Sequence, residues 1–184
     1  EVETRWSGAL YGGGFRLEDR EGLIREVRAL RTRASPEALF RSFASLGGER
    51  GWLVWNWAWA LRGFLDRLLG GPGLRRGRRH PTELLPGEAV DFWRVEAVEP
   101  PRLLRLRAEM RLPGRAWLEW EAREAEGGSL LVQTAYFEPK GLTGFLYWWA
   151  LYPIHRRIFS DLARAIVREA EAQAEAPPRG GGAG

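Results

Sequence analysis

The chain has 184 residues, enough for one domain with a real core, and it contains no cysteine. Disulfides, thiolate-bound metals, iron–sulfur clusters and thiol catalysis are therefore excluded, and a chain without disulfides fits a cytoplasmic location. Lys and Arg number 28 against 24 Asp and Glu, for a net charge of +4, and the two signs alternate along most of the sequence. The high isoelectric point thus reflects a small excess of arginine, and a dedicated nucleic-acid surface is not expected.

Residues 1–22 are glycine-rich and weakly patterned and read as an irregular leading segment or linker; EVETRWSGAL has none of the apolar run of a secretory signal. LIREVRALRT (23–32) reads as a first strand. A helix then starts with Ser35 as N-cap, Pro36 at the first helical position and Glu37 in the first turn. Ala38, Leu39, Phe40, Phe43 and Leu46 fill its apolar side, and Gly47 and Gly48 stop it. A second helix is expected over 55–71, with Trp55 and Trp59 four apart, Leu61, Phe64, Leu65 and Leu68 extending the apolar surface, and Arg62 and Asp66 spaced to pair.

GPGLRRGRRHP (71–81) follows. Arg75, Arg76, Arg78 and Arg79 allow three readings: a nucleic-acid grip, a phosphate grip serving a cofactor on a neighbouring domain, or a structural edge. The acidic and apolar HPTELLPGE beyond it favours the structural edge, with Asp91, Glu109, Glu119 and Glu121 as bidentate partners.

From residue 89 the period changes to two. Residues 89–98, 102–110, 115–123 and 130–138 read as strands separated by turn chemistry. In the central hairpin, pairing Ala108 with Leu118 sets Arg107 opposite Glu119, Arg105 opposite Glu121 and Glu109 opposite Trp117. A long helix closes the fold. Its apolar start, 141–154, is shorter than the ~20 residues a spanning helix needs and reads as buried, although aromatics flanked by arginine also suit a membrane surface. Pro153 is expected to kink or split the helix. Beyond it Ile154, Ile158, Phe159, Leu162 and Ile166 share one side. The domain proper is expected over 23–174, with 175–184 as a disordered tail.

Nine of the ten tryptophans fall at 52–59, 92–93, 117–120 and 148–149. Such clusters suit a dense core, or a pocket for a flat, apolar ligand. Catalytic inventory is thin. His80 lies in the arginine loop and His155 on the closing helix, where packing is the ordinary role, and no HExxH or spaced ligand set points to a metal. YGGGFRLEDREG lacks the dinucleotide-binding spacing. Trp93, Arg107, Glu109, Trp117, Glu119 and Tyr136 converge on the strands either as a pocket or as the solvent face of the sheet.

The order of strand, two helices, antiparallel strands and long C-terminal helix resembles the helix-grip fold of the START-like (SRPBCC) superfamily. LRGFLDRLLGGPGLRRGRRHP, DFWRVEAVEPPRLLRLRAEMRLPGRAWLEW and QTAYFEPKGLTGFLYWWALYPIHRRIF are similar to a family of uncharacterised bacterial domains within it. The resemblance implies an α+β fold with an antiparallel sheet wrapped around the long helix and a cavity between them. Members of the superfamily bind lipids, sterols, polyketides or hormones, and some are cyclases. Domains of this family are commonly fused behind an NAD(P)-binding domain of the atypical short-chain dehydrogenase type, so the resemblance implies no cofactor in this domain and NAD(P) on a fused or partner domain.

The expectation is therefore a binding domain for a small hydrophobic ligand, the substrate-side module of an NAD(P)-dependent oxidoreductase. Trp55, Trp59, Trp93, Trp117, Tyr136, Trp148 and His155 would shape its pocket, and Arg107, Glu109 and Glu119 would fix polar groups. The alternatives are a cyclase or hydratase using Glu109 or Glu119 as general base, and a module whose exposed Trp face docks a partner.

Overall fold

Strand, helix and strand alternate as the pattern implies, but the chain begins its sheet earlier than expected. The computed structural model describes residues 14–20, 22–73, 80 and 83–175. Its strands are β1 (Gly14–Arg20), β2 (Leu23–Thr32), β3 (Ala89–Val90), β4 (Trp93–Glu99), β5 (Leu103–Ala108), β6 (Gly114–Ala125) and β7 (Gly128–Pro139). They form one antiparallel sheet in the order β1-β2-β7-β6-β5-β4-β3. Helices α1 (Pro36–Ala44) and α2 (Asn56–Leu68) connect β2 to β3, and α3 (Gly141–Glu175) closes the chain.

Local chemistry sets the helix ends. The Ser35 hydroxyl accepts the Ala38 N–H at 3.2 Å, with Pro36 leading α1. Leu39 and Phe43 of α1 join Leu104, Leu106, Leu118, Trp120 and Leu131 of the sheet and Ile158, Leu162 and Ile166 of α3 in one core. Full burial of each such side chain contributes about 1.5–3 kcal/mol. Gln133, also buried, ties the layers together: its carbonyl accepts the Trp120 indole N–H and its amide donates to the Phe159 carbonyl, both at 2.9 Å.

Several expectations need correction. Residues 14–20, read as irregular, form β1, paired with β2 from Gly14↔Ala29 to Arg20↔Leu23. Phe15 and Leu17 alternate there with Arg16 and Glu18, a period-two signal only four residues long between a glycine run and a charged run; in the fold Phe15 is covered by the guanidinium groups of Arg28 and Arg156 at 4.6 and 5.3 Å. The strand expected over 89–98 is broken by Asp91, which adopts a left-handed φ of 54°. The Asp91 carboxylate holds that conformation by accepting the Trp52 indole N–H at 2.8 Å and the Gly48 N–H at 3.3 Å. Pro153 does not split α3, which runs through it unbroken. The carbonyl that a proline leaves without a donor belongs here to Trp149, an exposed residue of the helix.

The central hairpin is offset by two residues from the expected register: Leu106 faces Leu118, Arg105 faces Glu119 and Arg107 faces Trp117. The cause lies outside the hairpin. β5 ends at Ala108 because Glu109 turns to β4, its N–H donating to the Phe92 carbonyl at 2.9 Å and its carboxylate gripped by Arg94 at 2.7 and 3.0 Å. Next, the Arg111 N–H is drawn to Asp66 Oδ1 of α2 at 2.7 Å. Asp66 is fully buried and takes the Gly73 N–H on its other oxygen at 3.0 Å, so backbone N–H groups hold it in place of the Arg62 pairing expected from their spacing. The arginines Arg75, Arg76, Arg78 and Arg79 lie outside the described residues.

Candidate functional site

A cavity of about 260 Å³ opens between α2, α3 and the concave face of the sheet. Trp59, Arg62 and Leu65 face it from α2. Tyr147, Trp148, Leu151, His155 and Phe159 face it from α3. Trp93, Met110, Leu112, Ala116, Ala135 and Phe137 complete the floor and wall. Strand alternation sends Ala116 inward with Leu118 and Trp120, and Ala135 inward with Phe137.

The cavity surface is almost wholly apolar, and buried nitrogens lie in the wall behind it. Trp59 Nε1, Trp93 Nε1, Trp148 Nε1 and His155 Nδ1 are all buried with no hydrogen-bond partner, and all four residues line this cavity. A buried N–H left unpaired costs about 1–3 kcal/mol, and native folds leave few of them. Aromatic packing holds these rings in place. Trp59 lies 5.1 Å from the Trp52 ring and Trp93 lies 6.0 Å from it, and Trp148 stacks on Phe137 at 5.2 Å. The His155 ring sits 5.6 Å from Phe159 and 6.0 Å from Trp148. Burial, aided by the charge of Arg62, lowers its pKa from 6.5 to about 4, so the imidazole is neutral at pH 7 with one nitrogen to donate and one to accept. Burial pushes the Tyr147 phenol up, and Arg62 opposes that shift.

The structure divides the residues expected at the site. Trp59, Trp93, Trp148 and His155 come together at the cavity. Trp55 does not, because it precedes α2 in a left-handed conformation (φ 55°) and donates its indole N–H to Asp161 at 2.9 Å. Trp117 and Tyr136 border the cavity at strand positions whose side chains point to the opposite face of the sheet. There Trp117 donates to Glu96 at 3.2 Å, the Tyr136 hydroxyl donates to Glu119 at 3.3 Å, and Arg105 grips Glu119 at 2.6 Å. Arg107 shares that outer face, opposite Trp117. Glu109 is held by Arg94. Neither Glu109 nor Glu119 reaches the cavity, which removes both from the role of general base for a bound molecule. Glu121 is likewise paired locally, with Arg102 and Arg123. Sequence reasoning missed Arg62, Met110 and Tyr147. Arg62 lies three residues beyond Trp59, a spacing that puts both on one helix side.

A larger depression of about 710 Å³ lies beside Arg31, Arg33, Glu126 and Glu171. It is a broad charged surface with none of the orphaned nitrogens, so the apolar cavity under α2 and α3 is the stronger site.

A curved antiparallel sheet gripping a long C-terminal helix defines an α+β helix-grip domain. Solved structures share that fold: the di-domain ARO/CYC StfQ from the steffimycin biosynthetic pathway matches with a TM-score of 0.51 and 12% identity over 84% of this chain and 52% of its own. Ara h 8.0201 matches with a TM-score of 0.50 and 12% identity over 82% of this chain and 99% of its own. No curated protein matches the chain in sequence. The chain belongs to the family DUF2867, described as a protein of unknown function, which matches residues 20–162.

Proposed function

We propose that this domain binds a small, mostly apolar molecule that carries hydrogen-bond acceptors, in the cavity between α2, α3 and the sheet. One observation carries the reading: the unpartnered nitrogens of Trp59, Trp93, Trp148 and His155 belong to residues that line one apolar cavity. A rotation of one of these rings would turn its nitrogen toward a carbonyl or ether oxygen in the cavity and relieve the cost of leaving it dry, while the ring faces and Leu65, Leu151 and Phe137 accept the hydrocarbon. The cavity lies just below the usual range for drug-sized ligands, which points to a compact ring system. The helix-grip neighbours support the reading at the level of fold. Pairing with an NAD(P)-binding domain rests on the family resemblance alone.

The test is a matched ligand pair. Titration of Trp fluorescence with naphthalene and with 1-tetralone, which adds one carbonyl to a similar skeleton, should show the ketone binding at least about tenfold more tightly, one good hydrogen bond to a dry donor. Equal affinities, or no binding of either up to the solubility limit, would overturn the reading.

A further inference from the structure

The outer sides of α2 and of the first half of α3 are apolar where a surface helix is ordinarily polar. On α2 and its C-cap, Trp57, Leu61, Phe64, Leu65, Leu68 and Leu69 are exposed, and on α3 so are Leu142, Phe145, Leu146, Trp149 and Ile154; across the set exposure runs from 40% to 73%. Patches of this kind mark sites of association. Trp57, Leu61, Leu65 and Ile154 also line the cavity, so the exposed surface is continuous with its mouth. Ile154, expected in the core, belongs to this rim.

Among the described residues, the exposed charge on these two helices is mostly positive. The single acidic residue of α2, Asp66, is fully buried and engaged by backbone N–H groups, while Arg67 is exposed and Arg62 half-buried. Between Gly141 and Ser160, α3 has no acidic residue; of its two arginines there, Arg156 lies 5.3 Å from the Phe15 ring and Arg157 pairs with Asp161 at 3.1 Å. Exposed Arg111 lies in the loop between β5 and β6 and exposed Lys140 just before α3, where its N–H donates to the Pro113 carbonyl at 2.9 Å.

We propose that this face docks on an anionic lipid membrane, with the cavity mouth turned toward the bilayer. Exposed tryptophan and leucine beside mostly positive charge match the headgroup boundary, where apolar side chains enter and Arg and Lys meet lipid phosphates. Among the described residues no helix is long and apolar enough to cross a membrane, so the contact is superficial. A second copy of the chain fits less well, because a two-fold contact would set these cations against themselves. A protein partner would need an acidic rim to meet the same cations. The docking rests on the helices alone; delivery of the cavity's ligand from the membrane rests also on the binding reading above.

Co-sedimentation with vesicles of phosphatidylcholine alone, and of phosphatidylcholine mixed with phosphatidylglycerol, tests the docking. The full chain should partition to the anionic vesicles at least about tenfold more strongly, and the difference should shrink as salt rises. Phe64→Asp with Leu68→Asp, and separately Leu142→Asp with Leu146→Asp, replace exposed residues outside the cavity lining. Each pair should reduce partition at least about tenfold while circular dichroism and 1-tetralone affinity stay unchanged. No preference for anionic vesicles, or undiminished binding by both pairs, would overturn the proposal. Self-association that the same substitutions abolish, without vesicle binding, would assign the face to a second copy and overturn it too. Ketone binding measured in parallel separates the two claims: docking can fail with the cavity intact, and the cavity reading can fail with docking intact.

Discussion

Substitution of His155 by phenylalanine separates the role of a buried neutral imidazole from that of a packing ring. In the folded protein His155 titrates at about 4 instead of 6.5, chiefly because burial between Trp148 and Phe159 disfavours its charged form, with Arg62 adding repulsion. As pH falls below 6.5 the unfolded chain takes up a proton at this position and the folded chain does not. The unfolded state therefore binds more protons, and folding stability drops through the window from 6.5 down to about 4. The full loss is roughly 3 kcal/mol, and at about pH 5 it is already roughly 2 kcal/mol. The phenyl ring of the His155→Phe variant would keep the ring contacts, extend into the adjacent cavity and carry no titrating group. Urea unfolding followed by Trp fluorescence at about pH 7 and pH 5 should then show the variant losing roughly 2 kcal/mol less than the wild type between the two conditions. At neutral pH the variant should match or exceed the wild type, because it no longer buries an unpaired nitrogen, while its affinity for 1-tetralone falls. Parallel pH profiles for the two proteins would refute the buried neutral histidine.

Three further outcomes concern other contacts. Asp66→Asn offers an amide N–H2 to one of the two backbone N–H groups that Asp66 now accepts, so urea unfolding should record a loss of roughly 2–4 kcal/mol; a change under about 0.5 kcal/mol would show that Asp66 does not anchor the loop over 109–113. Gly144→Ala would drive a methyl to 2.2 Å from the Pro113 carbonyl oxygen, and the start of α3 must shift, lowering stability by about 1–3 kcal/mol in the same assay. Glu119→Gln weakens only its pairing with Arg105 and Tyr136 on the outer face; stability should change by less than about 1 kcal/mol and 1-tetralone affinity by less than about twofold, whereas a large loss of binding would return this carboxylate to the site.

Much of the architecture is legible without coordinates because it rests on short-range rules. Ser35 and Pro36 announce α1 through backbone groups that only a cap or a proline satisfies. Period-two alternation announces β4 to β7, and Trp148 and His155, seven residues apart, fall on one side of α3. The failures sit where a distant group overrides a local preference. Trp55 has helical spacing with Trp59 but is left outside α2, its indole donating to Asp161 of α3. The hairpin register that best matches charges locally yields to Arg94 and Asp66, which capture Glu109 and Arg111 from other elements.

The sequence by itself determined which residues share a face: alternation groups Ala116, Leu118 and Trp120 on one side of β6 and Trp117 and Glu119 on the other, and the glycines, prolines and caps bound each element. Only the tertiary structure decided which of those faces looks toward α3. A pattern of period two labels two sides without naming the inside, and Trp117 with Tyr136 reads as readily as a pocket wall as the stems of an outer ion-pair network. Packing against α3 resolves it, because the inner face has no room or partner for Glu119 and the outer face supplies Arg105. The same packing closes Trp59 of α2, Trp93 of β4, and Trp148 and His155 of α3 around one cavity, a convergence that no spacing along the chain encodes.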